Sequence, residues 1–190
     1  MDPITPPGAP GAPLDDAAFE ALFRDAIPRL TDFATRYLGA REAAEETVQD
    51  VFLELWTRRT QLRFRESPRA YLYRSVRNRC LNALERRRLG ARIKRRILGE
   101  EPIAPPPDPF AGDEADALRR ALRQLVGALP PRTRLAVTLR YDHGLSYREA
   151  AEVMGISIKG VERLLRLALI RLRGAAADVG IDATDLSIGS

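Results

Sequence analysis

The pattern of apolar positions predicts a chain built from amphipathic helices. Between residues 44 and 56, apolar side chains recur at intervals of three and four, which places them along one side of a helix. Acidic and amide side chains occupy the other side of the same segment. The stripe consists of Ala44, Val48, Val51, Phe52, Leu55 and Trp56.

Helices are predicted on both sides of this segment. The first begins at Asp15 or Asp16 and carries Phe19, Leu22 and Phe23 on its inner face, and Pro28 is expected to interrupt it or to open a second helix. After a loop, Ser67 and Pro68 predict the cap and first turn of another helix. Its expected inner residues are Leu72, Tyr73, Val76, Cys80, Ala83 and Leu84.

Prolines and acidic residues separate these helices from a second helical module. The expected organisation is a disordered segment over 1–14, a first module over 15–97, a linker over 98–113, a second module over 114–174 and a tail over 175–190. The predicted fold class is all-α, with two helical modules joined by a flexible, Pro-rich acidic linker.

The second module contains the pattern of a helix-turn-helix from Ser146 to Arg173. Ser146 and Glu149 have the spacing of a capping box, Gly155 can adopt the left-handed backbone of the turn, and Ser157 can cap the second helix. An ordinary helical hairpin is the alternative. The short helix, the glycine turn and the small residues favour DNA binding.

In such a motif the first residues of the second helix face the major groove. Arginine can bridge a guanine edge, and glutamate can accept a hydrogen bond from the cytosine amine. The residues predicted to face the bases are Ser157, Lys159, Gly160, Glu162, Arg163 and Arg166. Arg148, Arg132 and Arg134 are better placed for phosphates, which set the register rather than the sequence.

The charge distribution supports binding to a polyanion. Lysine and arginine total 31 against 26 acidic residues, a net charge of +5. Between Arg58 and Arg96 the basic residues form a dense block whose only acidic members are Glu66 and Glu85. Such a block indicates either nucleic-acid binding or a solvated arginine-rich face.

Candidate catalytic chemistry is sparse. Cys80 is the only cysteine and His143 the only histidine, so neither a disulfide within the chain nor a zinc cluster can form. We expect Cys80 to be a small buried residue and His143 a polar loop residue. The sequence therefore predicts no enzyme, no cofactor and no metal. With no signal peptide and no apolar run of membrane length, it predicts a cytoplasmic protein.

Together the two modules resemble the sigma-70 factors of bacterial RNA polymerase, in their small extracytoplasmic-function (ECF) subgroup. The resemblance covers Phe19 to Leu172, with region 2 from about Phe19 to Arg88 and region 4 from about Leu118 to Arg173. It implies a transcription initiation factor that binds core RNA polymerase, at its clamp and flap, and directs it to promoters. Promoter DNA and an anti-sigma factor are the other partners implied.

The segment from Glu45 to Trp56 is similar to the family's polymerase-binding helix. The resemblance implies that Glu46, Gln49, Asp50 and Glu54 lie in that interface. A solvated acidic face remains the alternative for each of them.

The segment from Tyr71 to Asn78 looks like the family's region for melting and reading the −10 element. Such a factor needs a basic groove for phosphates and a pocket for an unstacked base. The resemblance implies that Phe64, in the loop before the helix, lines this pocket. The residues implied on the helix are Tyr71, Arg74, Arg77, Asn78 and Asn82. Two roles remain open for Tyr71, stacking on a base and packing within the protein. Tyr73 is assigned to the core.

The sequence departs from the family pattern in the second half of its recognition helix. Leu164, Leu167 and Leu169 stand where basic residues or histidines are common, and Asn82 stands where the family often has aspartate. Because the leucines cannot all point inward, we hypothesise that they contact another protein, such as an inhibitor or the polymerase flap.

Two other classes of protein are less consistent with the sequence. A response-regulator-type DNA-binding protein would need a receiver domain with clustered carboxylates on a parallel sheet, and the N-terminal half predicts no strands. A non-DNA-binding helical adaptor could share the helices but would not need the arginine block.

Overall fold

A computed structural model describes residues 16–58, 67–98 and 124–178 of the chain. Every regular element within these ranges is helical, which confirms the all-α fold class. The chain divides into two compact units, Met1–Pro107 and Asp108–Ser190. The division falls inside the expected linker, whose flexibility and bounds stay predictions.

Three long helices form the first unit: α1 (Asp16–Leu38), α2 (Arg41–Arg58) and α3 (Pro68–Leu98). Each helix contacts the other two, so their apolar stripes meet in one core. Its largest fully buried side chains are Leu30, Phe33, Val48, Leu55, Leu72, Tyr73 and Val76.

An aromatic cluster lies where the start of α1 meets the end of α2. Trp56 belongs to the predicted stripe of α2, yet it is 39% exposed, unlike the other residues of that stripe. Its ring packs edge-on against Phe19, with 4.9 Å between the ring centroids. Phe23, also partly exposed, packs against Phe52 at 4.8 Å. Two aromatic rings that pack on this core, those of Phe23 and Trp56, are therefore partly exposed at the surface.

α1 passes through Pro28 without a break, so the predicted interruption or second helix is wrong. Proline lacks the N–H that would bond the carbonyl of Arg24, which costs about 3 kcal/mol in a helix interior. Phe19 before the proline and Leu30 and Phe33 after it are buried in the same core. Since each such side chain contributes about 1.5–3 kcal/mol when buried, continuity of the apolar stripe outweighs the lost hydrogen bond.

Side chains form hydrogen bonds at two helix ends of the first unit. Ser67 Oγ accepts the N–H of Ala70 at 3.5 Å, which confirms the predicted cap of α3. The guanidinium of Arg87 donates to the carbonyl of Leu38 at 3.3 Å. A member of the basic block is thus bonded to the C-terminal end of α1, where a positive charge is favourable.

Cys80 and Tyr73 are buried in α3, as predicted. Burial raises the pKa of the Cys80 thiol to about 11 and that of the Tyr73 phenol to about 12. Both groups are therefore neutral at physiological pH. A protonated, buried thiol is a poor nucleophile, so Cys80 is a packing residue.

The second unit contains α4 (Pro131–Val137), a π-helical turn (Thr138–Asp142), α5 (Tyr147–Met154) and α6 (Ile158–Asp178). Pro131 occupies the first turn of α4, where its missing N–H costs nothing. The core of this unit is formed by Leu129, Ala136, Leu139, Leu145, Ala150, Val153, Val161, Leu165, Ala168 and Leu172.

His143 lies in the loop that follows the π-helical turn, as expected, and is only 3% exposed. Its N–H donates to the carbonyl of Thr138 at 3.1 Å. Leu139 and Leu145, on either side, are fully buried and joined by a backbone hydrogen bond of 2.9 Å. Between these two leucines His143 is buried, whereas Tyr141, Asp142 and Gly144 are exposed.

The helix-turn-helix has the predicted local geometry. The Ser146 hydroxyl accepts the N–H of Glu149 at 3.2 Å, and the Glu149 carboxylate accepts the N–H of Ser146 at 2.9 Å. Gly155 has a φ of 64°, in the left-handed region. Ser157 Oγ accepts the N–H of Gly160 at 3.1 Å. The capping box, the glycine turn and the second cap are confirmed.

We expect Gly155→Ala to destabilise the second unit by about 1–2 kcal/mol, because residues with a Cβ rarely adopt the left-handed conformation. The added methyl would meet no atom within 4 Å, so backbone strain is the only penalty. Hydrogen exchange of the α5 and α6 amides in the full chain measures the change.

Gly174→Ala is the matched control for this substitution. Gly174 lies inside α6, and its added methyl also meets no atom within 4 Å. Because alanine is the better helix former, this change should stabilise α6 by about 0.5–1 kcal/mol. If both substitutions destabilised the second unit, or both stabilised it, the assignment of backbone strain to Gly155 would be wrong.

Candidate functional site

α6 presents a polar, mostly basic side opposite its buried stripe. Val161, Leu165, Ala168 and Leu172 are buried against the rest of the second unit. Five of the residues predicted to face the DNA bases have exposed side chains: Ser157, Lys159, Glu162, Arg163 and Arg166. The structure therefore brings these predicted residues together at the N-terminal part of one exposed helix.

Ser157 and Gly160 shape the start of this helix. The Ser157 hydroxyl accepts the Gly160 N–H, so its acceptor capacity serves the cap. A Cβ on Gly160 would lie 3.4 Å from both Ile156 Cδ1 and Ser157 Oγ. The lack of a side chain at Gly160 thus leaves room for the turn. Any side chain that reaches outward from this part of the helix belongs to another residue.

The three arginines expected to contact phosphates differ in their surroundings. Arg132 is exposed. Arg148 is exposed as well and pairs with Glu152 Oε1 at 3.4 Å. Arg134 donates to the carbonyl of Gly127 and, at 3.0 Å, to that of Leu129. Arg134 therefore stabilises the turn that precedes α4, a role that sequence reasoning missed.

The three leucines that depart from the family pattern lie on the flanks of α6. Leu167 is exposed, whereas Leu164 and Leu169 are half-buried. Ile170, which sequence reasoning did not single out, is 62% exposed. The second half of α6 therefore has an apolar surface next to its arginines.

Four of the residues assigned to −10 recognition share the outer side of α3. Tyr71, Arg74, Asn78 and Asn82 are spaced by three or four residues, which places them on one face. The two asparagines are exposed, and Tyr71 and Arg74 are half-buried. Phe64, expected in the adjoining pocket, lies outside the described residues.

Arg77 differs from these four because it is turned toward α1. Burial raises the pKa of the Tyr37 phenol, and a hydrogen bond from the neighbouring Arg77 guanidinium offsets part of the rise. This contact joins α3 to α1. The helical period could have shown it, since Arg77 lies about a quarter turn from Val76, which is fully buried.

The outer side of α2 carries the residues assigned to polymerase binding. Glu46, Gln49 and Asp50 are exposed, and Glu54 is half-buried. Leu53, 65% exposed, lies among them at the centre of the same side.

Two of the carboxylates on this side are paired with an arginine of the neighbouring helix. Arg79 of α3 contacts Glu54 at 2.7 Å and Asp50 at 3.2 Å. Glu54 also pairs with Arg58 at 3.1 Å. No sequence pattern indicates the Arg79 contacts, because pairing between helices has no fixed spacing along the chain. Glu46 and Gln49 are the members of the set with no such bridge to α3 in the described structure.

Within the described residues, no group of three or more histidine, cysteine, aspartate or glutamate side chains could hold a metal ion. The same part of the chain has no helix long and apolar enough to cross a membrane.

Comparison with known families gives two matches. Residues 22–89 match sigma-70 region 2, and residues 119–172 match sigma-70 region 4. Together the matches span nearly two thirds of the chain.

Similar proteins include ECF RNA polymerase sigma factors. RpoE of Cereibacter sphaeroides is 27% identical over 170 residues, covering 84% of this chain and 86% of the relative. SigK of Mycobacterium tuberculosis is 26% identical over 165 residues, with the same two shares.

Two solved structures are similar in fold. The sigma factor RpoE in complex with the anti-sigma factor NepR from Bartonella quintana has a TM-score of 0.60 at 21% identity, covering 84% of this chain and 96% of that one. CnrH in complex with the cytosolic domain of CnrY has a TM-score of 0.58 at 24% identity, covering 86% and 90%. At these identities the likeness shows the fold alone.

We expect Arg79→Met to destabilise the first unit by up to about 1 kcal/mol, because both ion pairs with α2 are lost and both are partly solvated. Concentrated salt should reduce the loss, since it screens the pairs in the parent protein. Denaturant unfolding followed by the fluorescence of Trp56, the only tryptophan, reports on this unit.

Arg24→Met provides the control, because Arg24 pairs with Glu20 within α1 and its side chain is 78% exposed. That change should have almost no effect on unfolding. If Arg79→Met were no more destabilising than Arg24→Met, the bridge between α2 and α3 would have no energetic role.

Proposed function

The chain belongs to the sigma-70 family of bacterial RNA polymerase sigma factors, with region 2 in its first unit and region 4 in its second, and we propose that the two regions divide the recognition of one promoter. The protein is a transcription initiation factor of the ECF type. The observation that carries the proposal is the capped helix-turn-helix, whose second helix presents exposed basic residues at its N-terminal end. The proposed partners are core RNA polymerase and promoter DNA, both of which are found in the bacterial cytoplasm.

In this proposal α6 reads the duplex −35 element. Its exposed Arg163 and Arg166 can each bridge a guanine, and Glu162 can accept from a cytosine amine. Arg132 and Arg148 lie outside the recognition helix and are assigned to phosphates. Because Arg134 is bonded to two carbonyls, we assign it to the fold rather than to DNA.

The outer side of α3 is proposed to hold the separated −10 strand. Asn78 and Asn82 offer both donors and acceptors to the edge of an unstacked base, and Arg74 supplies a positive charge for phosphates. A half-buried Tyr71 on the same side can stack on a base while its ring stays supported by the helix. Arg77 supports this surface indirectly, through its hydrogen bond to Tyr37 of α1.

The outer side of α2 is proposed to bind core polymerase. Glu46 and Gln49 are the best-placed residues for this contact because both are exposed. Asp50 contributes through its exposed portion, whereas Glu54 lies between two arginines and serves mainly to join α2 to α3. Leu53 provides apolar area between the polar groups.

The protein makes no covalent bond in this proposal, and polymerisation belongs to the polymerase. Two recognition units on one chain make promoter binding bivalent, so the spacing between the two elements should matter. A response-regulator output protein is not favoured, because the described part of the first unit is helical and offers no parallel sheet.

An anti-sigma factor is the further partner that we propose. Two similar solved proteins, RpoE and CnrH, were each captured with a second protein, NepR and the cytosolic domain of CnrY. The flank of α6 that carries Leu164 and Leu167 supplies an apolar surface that such an inhibitor, or the polymerase flap, could cover.

Run-off transcription from a promoter library, with and without the protein, tests the proposed function. Purified core polymerase should start at specific sites only when the protein is added. Arg163→Ala should weaken selection of the −35 sequence, with each lost guanine contact costing about 1–3 kcal/mol, and leave core binding intact. Asp50→Asn should instead weaken association with core polymerase.

Equal loss of both activities in the two variants would contradict the division of labour. If no start site were stimulated by the parent protein, the proposed function itself would be wrong.

Leu164→Ser combined with Leu167→Ser tests the apolar flank of α6. We expect weaker inhibition by the anti-sigma factor, or weaker stimulation of transcription, because the apolar contact area is lost. Unchanged behaviour in both assays would mean that these leucines contact neither protein. Circular dichroism of the variant controls for an intact helix content.

A further inference from the structure

An isoleucine lies among the DNA-facing polar residues of α6. Ile158 is the first residue of the helix and is 45% exposed. Ile158 is not among the residues predicted to face the bases, although Ser157 and Lys159 on either side of it are. Ile158 and Lys159 are the first two residues of α6, and both side chains are exposed.

The position of Ile158 distinguishes it from a scattered surface residue. In a helix-turn-helix the N-terminal turn of the second helix is the part that enters the major groove. Lys159 and Arg163 are exposed at the same end of α6, and Arg166 is exposed one turn beyond, so positive charge that suits the phosphates bordering the groove lies on the exposed side beside Ile158. The charge around Ile158 therefore identifies DNA as the surface that covers it.

The major groove offers one apolar group to such a side chain, the C5-methyl of thymine. The other base edges present donors and acceptors that an isoleucine cannot satisfy, and burying them against it would cost free energy. From these observations we infer that Ile158 selects thymine in the −35 element through contact with that methyl group. The inference rests on the proposed reading of the −35 duplex by α6.

The geometry of the helix also predicts where this thymine lies. Ile158, Glu162 and Arg166 are spaced by four residues and form one ridge along the exposed helix. Four residues rise about 6 Å along the helix axis, and a base pair rises about 3.4 Å along the DNA axis, so the two contacts are separated by about two base pairs at most. The thymine should therefore lie within about two base pairs of the base read by Glu162.

Ile170 is the matched control for Ile158. It is the same residue type on the same helix and is even more exposed, at 62%, but it lies three turns further toward the C-terminus. Ile158→Ala and Ile170→Ala remove the same atoms from exposed positions, so neither change should disturb the folded unit.

The experiment uses the full chain bound to core polymerase. Sites are first selected from promoter duplexes with a randomised −35 element. Each thymine of the selected element is then replaced by uracil, which removes only the C5-methyl group. At one position the parent protein should bind the thymine site about fourfold more tightly than the uracil site, the effect of burying about one methyl group. Ile158→Ala should bind both sites equally, and Ile170→Ala should keep the parent's preference.

Three results would overturn the inference. These are a selected element that contains no thymine, parent protein that binds every uracil site as tightly as the thymine site, and Ile158→Ala that discriminates as strongly as the parent. Failure of the proposed function is distinguishable from these, because the selection would then enrich no −35 sequence at all.

Discussion

Burial of an apolar stripe along each long helix limits where this protein can carry out recognition. α2, α3 and α6 each give one side to a core, so any partner must be met on the remaining arc. The cost of exposing that stripe fixes the rotation of each helix about its axis. The outer residues of α2 and α3 are thereby aimed outward by Val48, Leu72 and Val76, none of which touches a partner in the proposed function.

A second consequence concerns the arginines, whose charge alone does not identify them as DNA contacts. Arg87 and Arg134 are bonded to backbone carbonyls at helix ends, and Arg79 bridges two carboxylates on another helix. Guanidinium groups are suited to such roles because they present several donors in a fixed plane. The surface available to phosphates is therefore smaller than the basic block suggests, and the exposed arginines of α6 become more important.

Much of the fold could be predicted from the sequence because it depends on local rules. The period of the α2 stripe, the capping box at Ser146 and the left-handed Gly155 each involve residues within one or two helical turns. Pro28 was misjudged for the opposite reason, since the packing of α1 against α2 and α3, which are distant in sequence, keeps the helix continuous. The Arg79 bridge depends on how two helices pack, which the order of residues along either helix does not reveal. Similarly, the helical period does not predict the exposure of Ile158, because its spacing of three residues from Val161 places it beside the buried stripe.

The bridge from Arg79 to Asp50 and Glu54 also connects the two surfaces proposed to bind polymerase and the promoter strand. If α2 meets polymerase and α3 meets the promoter strand, a partner that draws the carboxylates away from Arg79 changes the charge presented beside the other surface. The free energy of that coupling is shared, so whatever polymerase binding does to strand affinity, strand binding does to polymerase affinity by the same factor. If both surfaces bind as proposed, the 2.7 Å contact between Arg79 and Glu54 is the side-chain link through which their two affinities would be coupled.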